Sequence, residues 1–125
     1  TDGSYNIICE NNNNVVNNLD PTSHAEINSI RTACKIINNI NLEGYKLFSS
    51  CEPCPMCLSA IYWSNIKEVY FACNKKDAHK YGFSDKFIYE EIKKPIKNHD
   101  SVDWWLFVKF QMRFLPLNFL YPAWG

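Results

Sequence analysis

The sequence predicts one α/β domain, a three-layer α-β-α sandwich built on a mixed sheet. Three observations lead there. Segments with strand and helix patterns alternate along the chain. Apolar residues make up 46% of 125 residues, which suits one core and leaves too little chain for two domains. Two short stretches rich in metal-binding side chains, HAE and PCPMC, each stand where a helix is expected to begin.

The elements follow in order. Ser4 to Glu10, SYNIICE, reads as a strand, and ENNNNVVNN (Glu10 to Asn18) as a loop, because asparagine favours turns. Asp20 and Thr22 offer helix caps around Pro21. From about Ser23, apolar residues recur at three and four positions: Ile27, Ile30, Cys34 and Ile37, with Ala33 and Ile40 close to the stripe. That is the period of a helix burying one face. NNINLEG (Asn38 to Gly44) ends it. Tyr45 to Ser50 reads as a strand, and Met56 to Ser64 as a helix. Pro55 falls in the first turn of that helix, where its missing N–H costs nothing. Glu68 to Cys73 is a β-branched and aromatic strand. Asn74 to Phe83 reads as loop with a short helix, Asp85 to Lys94 as a helix stopped by Pro95, and Asp103 to Phe110 as a last strand. The expected organisation is a single domain over residues 1–125, with residues 101–125 an atypical tail. The first strand starts almost at the first residue, so an N-terminal helix and strand are expected to be missing.

Composition narrows the function. Lysine plus arginine equals aspartate plus glutamate at 13 each. A protein that lives on a phosphate backbone is usually clearly basic, so nucleic acid is not the expected partner. The tail WWLFVKFQMRFLPLNFLY (Trp104 to Tyr121) is interrupted by Lys109, Gln111, Arg113, Pro116 and Asn118, so no membrane span is expected. Six cysteines without a visible secretory signal point to reduced thiols and a cytoplasmic location.

The stretch SCEPCPMC (Ser50 to Cys57) spaces three cysteines at three-residue intervals. On its own it fits buried core, a redox pair or half a metal site. Cys54 and Cys57 straddle a helix start, where free N–H groups and the dipole favour thiolates. His24-Ala25-Glu26 supplies a second element. His24, Cys54 and Cys57 then make three ligands, and a catalytic zinc site has three plus an open position for water. Glu26 stands two residues from the histidine, a carboxylate beside the metal rather than on it, suited to moving a proton. A closed site with Cys51 as fourth ligand is the rival, and it leaves Glu26 without a role. Cys9, Cys34 and Cys73 read as core.

The nucleobase-deaminase pattern H-x-E…P-C-x-x-C is present in full, as His24-Ala25-Glu26 and Pro53-Cys54-Pro55-Met56-Cys57. With DPTSHAEINSIRTACK (Asp20 to Lys35), LFSSCEPCPMCLSAIYW (Leu47 to Trp63) and GFSDKFIYEEIKKP (Gly82 to Pro95), the chain resembles the zinc-dependent nucleobase deaminases of the cytidine-deaminase-like superfamily. Within it, the chain is similar to the small bacterial-type guanine deaminases. The resemblance implies a cytidine-deaminase-like fold and zinc held by His24, Cys54 and Cys57. It implies hydrolysis of guanine to xanthine and ammonia, with water activated by zinc and Glu26 and with Asp85 helping at the amino group. Asn13, Ala25 and Trp63 match substrate-binding positions, Trp63 at a pocket rim near a dimer interface. The implied partners are a purine base and a second copy of the chain. The family's opening helix and Gly-Pro-Phe-Gly strand are absent, and the tail Ser101 to Gly125 does not match the family's swapped C-terminal helix. The alternatives are a tRNA adenosine deaminase or other nucleobase or nucleoside deaminase, and an inactive zinc-stabilised domain.

Overall fold

The apolar stripe at Ile27, Ile30, Ala33, Cys34 and Ile37 winds into α1 (Ala25–Ile37). In the computed structural model, which describes residue 1, residues 4–80, residue 82 and residues 85–95, this is the longest helix. It ends where Asn38 enters the left-handed region at φ 55° and ψ 42°, and the Asn39 N–H closes onto the Cys34 carbonyl at 3.1 Å. Ile40 lies beyond that stop and is 83% exposed, so it does not extend the stripe.

Then follow β1 (Lys46–Cys51), α2 (Pro55–Trp63), β2 (Glu68–Cys73), α3 (Lys75–Lys80) and α4 (Lys86–Ile92). β1 and β2 pair in parallel, from Lys46 opposite Glu68 to Cys51 opposite Cys73. A parallel pair needs a crossover, and α2 is that crossover. Both strands therefore end on the same side, with Cys51 and Cys73 level. α1 lies against both β1 and α2.

The core sits between these elements. Leu42, Ile61 and Ile66 are buried, and Ile30, Ala33, Cys34, Ile37, Tyr45, Leu47 and Val69 pack against them. Leu42 comes from the linker after α1 and is 1% exposed. Its N–H donates to the Ser64 carbonyl at 2.7 Å, which fastens the linker to the end of α2. Leu42→Ala is expected to lower the unfolding free energy by about 2–5 kcal/mol, read from chemical denaturation, because a filled position becomes a cavity.

Two compact units divide the chain, Thr1–Tyr89 and Glu90–Gly125. The first carries the sheet, the core and the site described below. The second is described only over residues 90–95.

The expected strand at Ser4 to Glu10 does not form. Thr1 exchanges two backbone bonds with Lys46, at 2.7 and 2.9 Å, but Tyr5 then takes φ 64° and turns the backbone out of extended geometry. Among the described residues the sheet has two strands, both parallel. The expected strand Asp103 to Phe110 lies outside them. No described helix is long and apolar enough to cross a membrane.

Candidate metal centre and cleft

The carboxyl ends of parallel strands are where open α/β sheets build sites. Here β1 runs off at Cys51 into Glu52 and Pro53, and α2 begins at once. Cys54 is its N-cap, and its sulfur accepts the Cys57 N–H at 3.4 Å. Pro55 occupies the first helical turn as expected. His24 is the N-cap residue of α1, with extended backbone at φ −68° and ψ 154° and no cap bond from its ring. The ring turns instead toward the thiols. Its Nδ1 lies 3.5 Å from the Cys54 sulfur and 3.5 Å from the Cys57 sulfur.

These three donor atoms lie within 4.8 Å of one another. A tetrahedral zinc with Zn–S near 2.3 Å and Zn–N near 2.05 Å sets its corner atoms about 3.5–3.8 Å apart. One imidazole and two thiols fit that metal in donor type, and the two nitrogen–sulfur distances of 3.5 Å fit its spacing. Cys51 does not belong to the group, so the described residues do not assemble the closed four-ligand site.

The two thiols share a proton unequally. The hydrogen bond with Cys57 is the main reason the Cys54 thiol is pulled down to about 6, with backbone N–H groups and His24 adding to it. Cys57 is pushed up, first by holding the proton in that bond, then by burial and by the Glu26 carboxylate. Cys57 is wholly buried.

Glu26 sits beside the three donors. Its Oε1 accepts the Ser49 hydroxyl at 3.0 Å, and its Oε2 lies 3.6 Å from the Cys57 sulfur. One oxygen is fixed and the other faces the centre.

A cleft of about 800 Å³ opens over this group, and Asn13, His24, Ala25, Glu26, Cys54 and Asp85 all line it. Asn13 is exposed, and its side-chain oxygen accepts the Val15 N–H at 3.0 Å. Asp85 precedes α4, whose Tyr89 hydroxyl donates to the Pro53 carbonyl at 3.0 Å and so fastens the helix to the cysteine loop. Trp63 is elsewhere. It ends α2, is 84% exposed and does not line the cleft of its own chain. Nine helical residues at about 1.5 Å each carry it ~12 Å from the ligand end. Cys34 packs against the core as expected, though only half-buried, whereas Cys73 is exposed and Cys9 is half-buried outside that cluster. β2 ends at Cys73, where no described strand covers it.

Three contributors were not expected from sequence. Ser49 holds Glu26. Asn28 donates to the carbonyls of Asn12 at 2.9 Å and Ser23 at 3.2 Å, tying the asparagine loop to α1. Tyr89 anchors the cysteine loop. Only the first had a signal, since Leu47, Ser49 and Cys51 share a face by the two-residue strand period.

A model of the cytidine and deoxycytidylate deaminase zinc-binding region matches residues 2–73. Guanine deaminase of Bacillus subtilis (strain 168) is 53% identical over 89 residues, covering 71% of this chain and 57% of that protein. A tRNA-specific adenosine deaminase of Aquifex aeolicus (strain VF5) is 37% identical over 98 residues, covering 78% of this chain and 62% of that protein. The solved structure of the Bacillus subtilis guanine deaminase matches with a TM-score of 0.79 and 45% identity, over 83% of this chain and 66% of that one. The chain thus spans about three fifths of the length of these relatives. The deaminase resemblance and the cytidine-deaminase-like fold expected from the sequence are both borne out.

Proposed function

We propose, because the chain belongs to the cytidine and deoxycytidylate deaminase zinc-binding family, that it deaminates guanine hydrolytically, giving xanthine and ammonia. The observation that carries this is the His24 imidazole 3.5 Å from the sulfurs of both Cys54 and Cys57, with the Glu26 carboxylate beside them and an open cleft above. The similarity to guanine deaminase supports the substrate.

His24, Cys54 and Cys57 would hold zinc. When bound, zinc acts as a Lewis acid that lowers the pKa of a coordinated water to about 7. Glu26 takes the proton of the attacking water on Oε2, the oxygen that faces the centre, and delivers it to the purine ring as the water oxygen adds at C2. Ser49 keeps the other oxygen occupied, so the proton moves on one side only. Asp85 assists the exocyclic amine as it leaves as ammonia. Asn13 holds the purine edge, and Ala25 forms part of the cleft wall.

We further propose a homodimer in which Trp63 reaches the rim of a neighbouring copy's cleft. Its 84% exposure leaves it available for that contact. The reading keeps residues 1–125 as one deaminase-like domain with an atypical tail, working in the cytoplasm, where the thiols of the ligand set stay reduced.

Metal analysis tests the centre, and release of ammonia from guanine tests the reaction. One zinc per chain is expected, with X-ray absorption reporting two sulfur, one nitrogen and one oxygen neighbours. Cys57→Ala is expected to lose the zinc and to melt at lower temperature, because metal binding couples to folding. A shell of three sulfurs and one nitrogen would bring in Cys51 and overturn the open site.

A further inference from the structure

Cys51 and Cys73 end β1 and β2 as register partners. On this sheet, register partners touch. Phe48 and Tyr70 stack at 4.9 Å, and Lys46 and Glu68 pair at 3.2 Å. By the two-residue period, Cys51 and Cys73 share the opposite face, the one that carries Ser49. Both cysteines are free and exposed. The strands are held together at this point, since the Glu52 N–H donates to the Cys73 carbonyl at 2.7 Å.

Neighbouring strands lie about 4.8 Å apart, and a disulfide accepts Cα separations of roughly 4.4–6.8 Å. Register partners such as Cys51 and Cys73 are therefore expected near the short end of that window. Strained, exposed disulfides are the labile ones, which open and close with the redox conditions.

We infer that Cys51 and Cys73 form an oxidisable dithiol, a modification site distinct from the metal centre. The oxidant is a low-molecular-weight disulfide. One cysteine thiolate attacks it, forming a mixed disulfide and releasing one small thiol. The second cysteine attacks the protein-bound sulfur, closes the Cys51–Cys73 bond and releases the other small thiol. Two protein thiols are oxidised and one small disulfide is reduced. The Cys51 end of the bond lies on the cleft wall. Cys51 and Lys75 both line the cleft, and the Lys75 N–H donates to the Glu52 carboxylate at 2.8 Å between them. Cys51 is outside the donor group, so it keeps its thiol when zinc occupies the other cysteines. The inference rests on strand register and does not depend on the deaminase reading.

The zinc-loaded full chain is titrated with oxidised against reduced glutathione, quenched by alkylation and mapped by peptide mass. The expected product joins the Cys51 and Cys73 peptides with the loss of two hydrogens, keeps its zinc and reverts with dithiothreitol. Intramolecular closure should make it outnumber singly glutathionylated protein by about tenfold or more. Cys73→Ser should stop at a glutathione adduct on Cys51. Two separate adducts at Cys51 and Cys73 in the unmutated chain would overturn the inference. So would a Cys51–Cys54 link accompanied by loss of zinc.

Discussion

Glu26→Gln is expected to fold, to keep its zinc and to lose turnover by about 10²–10⁴-fold, the range that positioned acid–base groups supply. That is a barrier increase of ~3–5 kcal/mol. The substitution isolates the proton. A glutamine oxygen can still accept the Ser49 hydroxyl, so the side chain keeps its anchor at 3.0 Å. It cannot receive a proton and pass it on. The position also stands outside the donor group, so metal content should stay at one per chain. The measurement pairs zinc analysis with steady-state ammonia release. Activity equal to that of the unmutated chain, with zinc bound, would remove Glu26 from the reaction. Loss of zinc together with activity would make it part of the metal centre instead.

The site was legible in the sequence where short-range rules decide it. The Pro at the first helical turn fixes where α2 starts, and the cysteine spacing then sets Cys54 as cap and Cys57 one turn on. His24 and Glu26 sit likewise at the start of α1, so both halves needed only local reading. That they meet depends on α1 lying against β1 and α2, with α2 placed by its position as the crossover between the parallel strands. What was not legible depends on distant partners. Ser4 to Glu10 has a strand-like pattern, yet a strand needs a continuous ladder, and Tyr5 breaks away from β1. The exposure of Cys73 reflects what flanks β2, which its own pattern does not record. Asn28 looks like any polar helix residue. Its role comes from the loop that happens to lie over it, sixteen residues back in sequence.

Across a panel of guanine, adenine, cytosine, cytidine, guanosine and an anticodon stem-loop, guanine is expected to release ammonia at the highest rate. The cleft offers polar edges rather than a phosphate track. Its charged lining includes Lys75 against the carboxylates of Glu26, Glu52 and Asp85. A folded RNA needs positive surface to hold its backbone, and the formal net charge of the whole chain is zero. A free base carries no phosphate, and Asn13 and Asp85 stand on the cleft wall as the proposed contacts to its edge. A site built to hydrogen-bond one base leaves buried polar groups unpaired with another, which can reject the wrong one by about 10⁴-fold. Guanine should therefore exceed adenine by at least ~10²-fold, with xanthine as the product. Its rate should respond little to salt, whereas an RNA substrate would show a steep fall as phosphate contacts weaken. Turnover of the stem-loop without turnover of guanine would move the chain to the adenosine deaminases acting on tRNA, which share its zinc motif. Zinc at one per chain with no substrate turned over would leave a metal-stabilised domain. Asp85→Asn separates the remaining cases. Loss of guanine turnover with zinc and Glu26 intact ties the reaction to the purine amine, while an unchanged rate would leave Asp85 as no more than the residue that starts α4.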